Sequence, residues 1–319
     1  MGSAVWRMSA GDINTHRKHT HMDTTITEHM RRARVALAKA LFLRISAELG
    51  GGKSPYLLTP QKASAKLAHN ADITDEWEQV ICYMLPHRLG RSVWTQFAAR
   101  PDLFGPIKWR NLCTHSSAGC RGVCLHESGH LGKTNGTIAK LARTALYAID
   151  PDAFWVLCDD EIRRHRARLA KVGKRLAVRV NGTSDIDIPE ALFDAHRDVV
   201  FTDYTKRPDL ALSWNPHHPN RYVVFSATER TPDAQIATLL AAGHNVVVPF
   251  QVTRTGDLPQ SYLGHTVIDG DKHDLRFLDS VVEPDAHAEG GVIVGLRYKV
   301  VPHSPEHHGF IRPVPVTIG

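Results

Sequence analysis

The feature that most limits the fold is an alternation, in the second half of the chain, of short β-branched runs with helical patterns. Leu176–Val180, Val199–Tyr204, Tyr222–Ser226, Asn245–Phe250, His265–Ile268 and Gly291–Leu296 are runs of strand length, and Pro189–Ala195 and Pro232–Ala242 between them carry helical spacing. Continuous apolar strands need cover on both faces, and strands separated by helices run parallel. The pattern predicts an α/β fold whose parallel strands build a partial or complete (β/α) barrel. A dinucleotide-binding fold fits less well, because no G-x-G-x-x-G follows any strand; Walker A is also absent.

The rest of the chain divides around this block. Residues 1–24, with His16, Arg17, Lys18, His19 and His21, read as a flexible tail. Residues 25–104 read as a helical N-terminal region. Its first helix spans Thr27–Leu49, with Met30, Ala33, Val35, Leu37, Ala38, Leu41, Phe42 and Ile45 apolar and Arg31, Arg32, Arg34 and Lys39 solvated, ended by Gly50-Gly51-Gly52. Such a helix can lie on a membrane or a nucleic acid; docking on the core is the simpler reading. Residues 53–71 read as a polar loop. A second helix is expected over Thr74–Leu85, with Asp75, Glu76 and Glu78 in its first turns, and a short one over Arg91–Ala99. Residues 105–300 form the barrel-like domain, entered through helices at Thr134–Ile149 and from Pro151, the N1 proline, to Val172 before Gly173. Residues 301–319 read as an extended tail or a strap.

Three of the five cysteines, Cys113, Cys120 and Cys124, fall in one stretch with the spacing C-x6-C-x3-C. An odd, low cysteine count argues against a secreted disulfide framework and for thiols that act as ligands or nucleophiles. Such a loop can serve zinc, an iron–sulfur cluster or redox exchange. Zinc in a closed site needs a fourth ligand, for which His115, His126, His130, Cys82 and Cys158 are candidates. A four-iron cluster held by three cysteines keeps one iron open.

Ligands in parallel α/β folds bind at the C-terminal ends of the strands. Here those exits carry Asn181, Gly182, Thr183, Ser184 and Asp185; Asp203, Tyr204 and Lys206; Ser226 and Glu229; Gln251 and Arg254; and Asp269, Asp271, His273, Asp274 and Arg276. Exit loops are polar in any protein, yet a barrel would aim all five at one mouth. Lys206 suits a Schiff-base nucleophile, an anion clamp or a solvated lysine. Asp269, Asp271, His273 and Asp274 suit a hard metal, or a hydrogen-bonded Asp-Gly-Asp turn.

The formal charge of +6 is moderate and spread along the chain, which allows a polyanionic partner without identifying one. No run approaches the roughly eighteen apolar residues of a membrane span, and no apolar signal core follows a basic start. A soluble, cytoplasmic protein without a membrane partner is expected.

Gly105–Gly132 with its cysteine loop, Val178–Asp185, Asp203–Lys206, Phe225–Thr228 and Val267–Asp274 together resemble a bacteriophage family related to gene product 88, over roughly residues 55–300. The block 72–100 looks like an insertion relative to shorter relatives. The loop Cys113–Cys120 is also similar to that of another phage family, whose C-x6-C-x2-C motif is read as radical-SAM-like on a partial barrel. That likeness implies an iron–sulfur cluster on Cys113, Cys120 and Cys124 and S-adenosylmethionine held by Asn181, Gly182, Thr183, Ser184 and Asp185; the strand exits themselves offer Lys206, Asp185, Glu229, Asp271 and His273 as catalytic candidates. The expected function is a radical-SAM-like iron–sulfur enzyme acting on a nucleic acid or nucleotide, in the host cytoplasm if the chain is phage-encoded. Two other readings stand beside it: a zinc-stabilised, non-enzymatic nucleic-acid or protein-binding module, and a metal-independent lyase or aldolase using Lys206.

Overall fold

The computed structural model describes residues 10–52, 55–86, 95, 99–104, 111–125, 134–212, 218–288, 290–299 and 308–314. Its centre is a nine-stranded sheet: β1 (Thr59–Pro60), β2 (Trp77–Ile81), β3 (Arg175–Arg179), β4 (Val200–Thr205), β5 (Arg221–Ser226), β6 (Val246–Phe250), β7 (Ser261–Tyr262), β8 (His265–Asp269) and β9 (Ile293–Arg297). The order is β1-β2-β3-β4-β5-β6-β9-β8-β7. All pairings from β2 through β8 are parallel, and β1 and β7 add antiparallel edges. The order is linear, and among the described residues no ladder joins β1 to β7, so the sheet is not a completed barrel. The last strand among the described residues, β9, enters between β6 and β8, a position that sequence spacing does not reveal.

The expected helix at Thr74–Leu85 is a strand. Trp77–Ile81 pairs with β3 from Trp77↔Arg175 to Ile81↔Arg179. Its acidic residues do not serve a helix dipole; they face basic partners at the base of the sheet. Asp75 lies 3.8 Å from Lys174, Glu76 3.2 Å from Arg175, and Glu78 pairs with Arg168. Pairing with a central strand overrides local propensity here. Within the block 72–100, the segment Trp77–Ile81 is therefore strand and not helix. The short helix expected at Arg91–Ala99 lies largely outside the described residues.

The first helix runs Ala10–Glu48, so the expected tail is helical from Ala10 onward. No proline interrupts it, and once its C-terminal half is packed, adding turns costs little. That half docks on the core as expected: Ala38, Phe42 and Ile45 are buried against the helices Thr134–Ile149 and Pro151–Ala170, whereas Met30 and Leu37 are exposed. The Pro151 helix starts as its sequence suggests, with the Asp150 carboxylate accepting from Ala153 N at 2.9 Å and proline in the first turn. Gly173, at φ 68°, turns the chain away from it.

The register sorts the sheet into two faces. Val80, Val178, Phe201, Phe225, Val246 and Ile293 share one face through the pairs Val80↔Val178, Val178↔Phe201, Phe225↔Val246 and Val246↔Ile293. This face carries the helical layer, with Leu146, Phe154, Leu157 and Ile162 at one end and Ile236, Leu239 and Leu240 at the other. The opposite face is mixed. Val224, Val247, Ile268 and Val294 make an apolar patch, and Trp77 and Ala177 pack on Leu275. Between them runs a buried polar network. Arg179 bonds Asp274 at 2.8 and 3.1 Å and stacks on Tyr204, whose hydroxyl donates to Asp274 at 3.1 Å. Lys66 reaches the same carboxylate at 2.8 Å. Among the described residues no helix is long and apolar enough to cross a membrane.

Candidate functional site

The cysteine loop lies across the C-terminal exits of β3, β4 and β5. At the β3 exit, Asp185 N donates to Leu112 O at 2.7 Å, and the Cys113 thiol donates to Thr183 O at 3.5 Å. At the β5 exit, the Glu229 carboxylate accepts from Ser117 Oγ and from Gly119 N, the latter at 3.0 Å. Ser117 caps the five-residue helix Ala118–Gly122 by accepting from Cys120 N at 3.1 Å. Cys120 rides on that helix and Cys124 follows it. At the β4 exit between them, Asp185 accepts from Thr205 Oγ1 at 3.0 Å and from Lys206 N at 3.1 Å. Three strand exits and the loop therefore form one hydrogen-bonded rim.

All three loop cysteines are half-buried and in no disulfide. Burial raises the Cys113 pKa well above the ordinary thiol range, helped by Cys124, Cys120 and Asp185 and opposed by Lys206. The Glu229 carboxyl goes the other way: burial would raise it, but the Ser117 hydroxyl and Gly119 amide outweigh that and hold it below its ordinary value. Cys82 and Cys158 are elsewhere. Both are fully buried in the helix-side core, where burial pushes Cys82 up to about 12. They are core thiols, not partners of the loop. His115 is exposed and bonded to Thr114 at 2.9 Å; His126 and His130 lie outside the described residues. Among the described residues no three His, Cys, Asp or Glu side chains are arranged to hold a metal ion.

The side chains of the Asn181–Asp185 loop bond mostly within the protein. Asn181 donates from N and Nδ2 to Asp203, both at 3.0 Å, and accepts from Ser184 Oγ at 2.8 Å and Ile186 N at 3.0 Å. Burial pushes Asp203 up to about 7, against the pull of Arg179 and Asn181. Thr183 Oγ1 accepts from Met84 N at 3.1 Å and donates to Met84 O. Gly182 N donates to Cys82 O at 2.9 Å, so close that a Cβ on Gly182 would stand 2.5 Å from that oxygen.

Of the remaining candidates, Lys206 and Glu229 reach the rim, while Asp271 and His273 sit after β8. Asp269 holds Arg297 at 2.8 and 2.9 Å, Asp271 N donates to Asp269 Oδ1 at 3.0 Å, and Asp271 accepts from Arg297 N at 2.9 Å. This is the hydrogen-bonded Asp-Gly-Asp turn, its carboxylates bound to a guanidinium. His273 is buried, and Arg276 Nη2 donates to its Nδ1 at 3.1 Å. Lys66, Asn70 and Arg276 were not singled out for the interior network. A legible signal was Arg179, a charged residue inside an otherwise apolar strand, which needs a buried partner.

Fold and site define a class: an α/β protein with a mainly parallel sheet, one helix-covered face, and a three-cysteine loop fastened over consecutive strand exits. The gene product 88 family model matches residues 62–299, and the chain belongs to that bacteriophage family. No curated protein and no solved structure matches it.

Proposed function

We propose that this protein is an iron–sulfur enzyme of radical-SAM-like type on a partial (β/α) barrel, acting on a nucleic acid or nucleotide, with Cys113, Cys120 and Cys124 as the protein ligands of a four-iron cluster. The observation that carries the reading is the loop itself: three thiols on one short segment, pinned by Asp185 and Glu229 over the exits of β3, β4 and β5. The sequential order β2 to β6 supports the partial barrel, because right-handed crossovers in one direction put their helices on one face. The chemistry of the donor set fits a four-iron cluster: three thiols serve three irons and leave one open, whereas a closed zinc site needs a fourth protein ligand.

When bound, such a cluster supplies an electron and an open iron to S-adenosylmethionine. The chain's own residues do the rest. Glu229 and Asp185 fix the loop, and backbone carbonyl oxygens of the 181–185 segment would serve as the acceptors that an ammonium group needs, its hydroxyls being engaged with Met84 and Asn181. The core thiols Cys82 and Cys158 take no part. The charge of +6 supports a polyanionic substrate.

Anaerobic reconstitution with iron and sulfide tests this. The expected result is visible absorbance, a reduced-state EPR signal, and about four irons per chain, lost in Cys113→Ser while the circular dichroism of the apo-protein is unchanged. Stoichiometric zinc without a cluster, with Cys113→Ser unfolding the domain, overturns it in favour of a zinc-stabilised binding module.

A further inference from the structure

We propose that Lys206, Ser226 and Phe310 form an oxyanion pocket beside the cysteine loop, which binds a phosphate or carboxylate of the compound that reacts there. The proposal deepens the reading above and rests on it for what the bound compound does. Lys206 follows Thr205, the last residue of β4, which pairs with Phe225, the neighbour of Ser226 at the end of β5. Its Nζ donates to Ser226 Oγ, and the Phe310 ring lies over it at 5.0 Å. Phe310 is brought there by a C-terminal strap: Gln251 N donates to Arg312 O at 2.7 Å, Arg312 N to Pro249 O at 2.8 Å, and Arg312 Nη2 to Thr228 O at 3.0 Å.

A half-buried ammonium is ordinarily matched by a carboxylate. Two carboxylates sit at the neighbouring exits, and both are committed elsewhere. Asp185 accepts from Thr205 Oγ1 and from the backbone N of Lys206, and Glu229 accepts from Ser117 and Gly119. Among the described residues no carboxylate forms an ion pair with Lys206. A hydroxyl and an aromatic face favour the cation without neutralising it, and two of the three ammonium donors remain for a ligand. Asp185 links the two places: its carboxylate accepts from Lys206 N at 3.1 Å and its own N donates to Leu112 O at 2.7 Å, which sets Lys206 beside the start of the cysteine loop. A cation is repelled from such a pocket; an oxyanion completes it.

The test uses the full-length, reduced, metal-free protein titrated with inorganic phosphate, AMP and acetate by calorimetry. The expected result is saturable binding of at least one of the three. It weakens about tenfold or more in Lys206→Ala, stays within about threefold in Lys206→Arg, and weakens in Phe310→Ala. AMP and phosphate binding above acetate assigns a phosphate; acetate binding alone assigns a carboxylate. No binding of any of them overturns the proposal. So does equal binding by Lys206→Ala with unchanged circular dichroism, or an equal loss in Lys272→Ala, a surface lysine paired with Glu283 at 2.9 Å. Iron and sulfide content, measured separately, keeps the two readings apart: anion binding without a cluster removes the iron–sulfur enzyme and leaves the pocket. A cluster whose reduction potential shifts in Lys206→Ala, in a protein that binds no oxyanion, makes the lysine a counter-charge for the thiolates and removes the pocket.

Discussion

His273 lies beneath the β8 exit with Arg276 donating to its Nδ1, and burial together with that guanidinium lowers its pKa to about 4. A neutral imidazole in the native state has a definite pH signature. Between about 6.5 and 4 the unfolded chain takes up a proton that the native protein refuses. The His273 contribution is therefore complete above about 6.5 and is lost as pH falls to about 4, by about 3 kcal/mol in all. Asp279, 3.6 Å from His273 Nε2 and raised to about 6 by burial, acts in the opposite sense, its contribution fading as pH rises towards 6. Comparison with His273→Gln separates the two. In urea unfolding from pH 4.5 to 7 the variant should lack most of the acid-side loss; parallel curves for both proteins would remove this account. Individual residues were unevenly legible in the sequence. The cysteines and the polar exits stood out because they cluster along the chain. The binding partners of Arg179 and Lys66 did not, since Asp274 is 95 positions from Arg179 and only the fold brings it back.

At the scale of elements, β3 to β6 and β9 were readable as apolar runs bounded by turn residues, because burial leaves little choice of residue; β8, mostly half-buried, was readable from its run up to Asp269-Gly270. β2 was not. Trp77-Glu-Gln-Val-Ile81 has acidic neighbours that mimic a helix start, and its strand character comes from pairing with β3. The same pairing explains Gly182, which sequence reasoning assigned to a cofactor loop. Where the chain leaves β3 it crosses the exit of β2 so tightly that a Cβ would meet Cys82 O at 2.5 Å, Ile81 Cγ1 at 2.8 Å and Tyr83 Cδ1 at 2.9 Å. Two of these neighbours are side chains held in the core and one is backbone, so relief requires the two exits to part. Gly182→Ala should cost about 1–3 kcal/mol of stability. Because Thr183 O receives the Cys113 thiol, it should also loosen the cysteine loop. Hydrogen exchange that is faster at both Cys113 and Gly182 is the expected result. A variant as stable and as protected as the parent would show that the crossing is slack.

At the scale of the molecule, the sheet is open in its hydrogen bonding, yet its two ends are tied across the polar face. The chain leaves β8, near one end, and returns over that face so that Asp274 meets Arg179 of β3 and Lys66, while Asp274 N donates to Asn70 Oδ1 at 2.8 Å. A barrel reading from sequence anticipated parallel strands around a shared interior. It did not anticipate that the polar face of the sheet would be crossed by a segment whose charge is matched so far along the chain. Arg179 and Lys66 hold the Asp274 carboxyl well below the usual carboxylate range despite its burial, so its contribution is present above about pH 4 and lost only in stronger acid. Removing one partner leaves Arg179 buried against Tyr204 without its anion, which costs far more than the pair itself is worth. Asp274→Ala should therefore destabilise the protein by about 3–5 kcal/mol. The double variant Arg179→Met/Asp274→Leu, which removes the buried pair, keeps the branched shape of Asp274 and leaves the partly exposed Lys66 free to turn to water, should recover most of that loss. Equilibrium unfolding of the two variants beside the parent decides the matter. If the double variant is as unstable as the single one, the crossing segment is held by its backbone contacts to Asn70 and not by the charge pair.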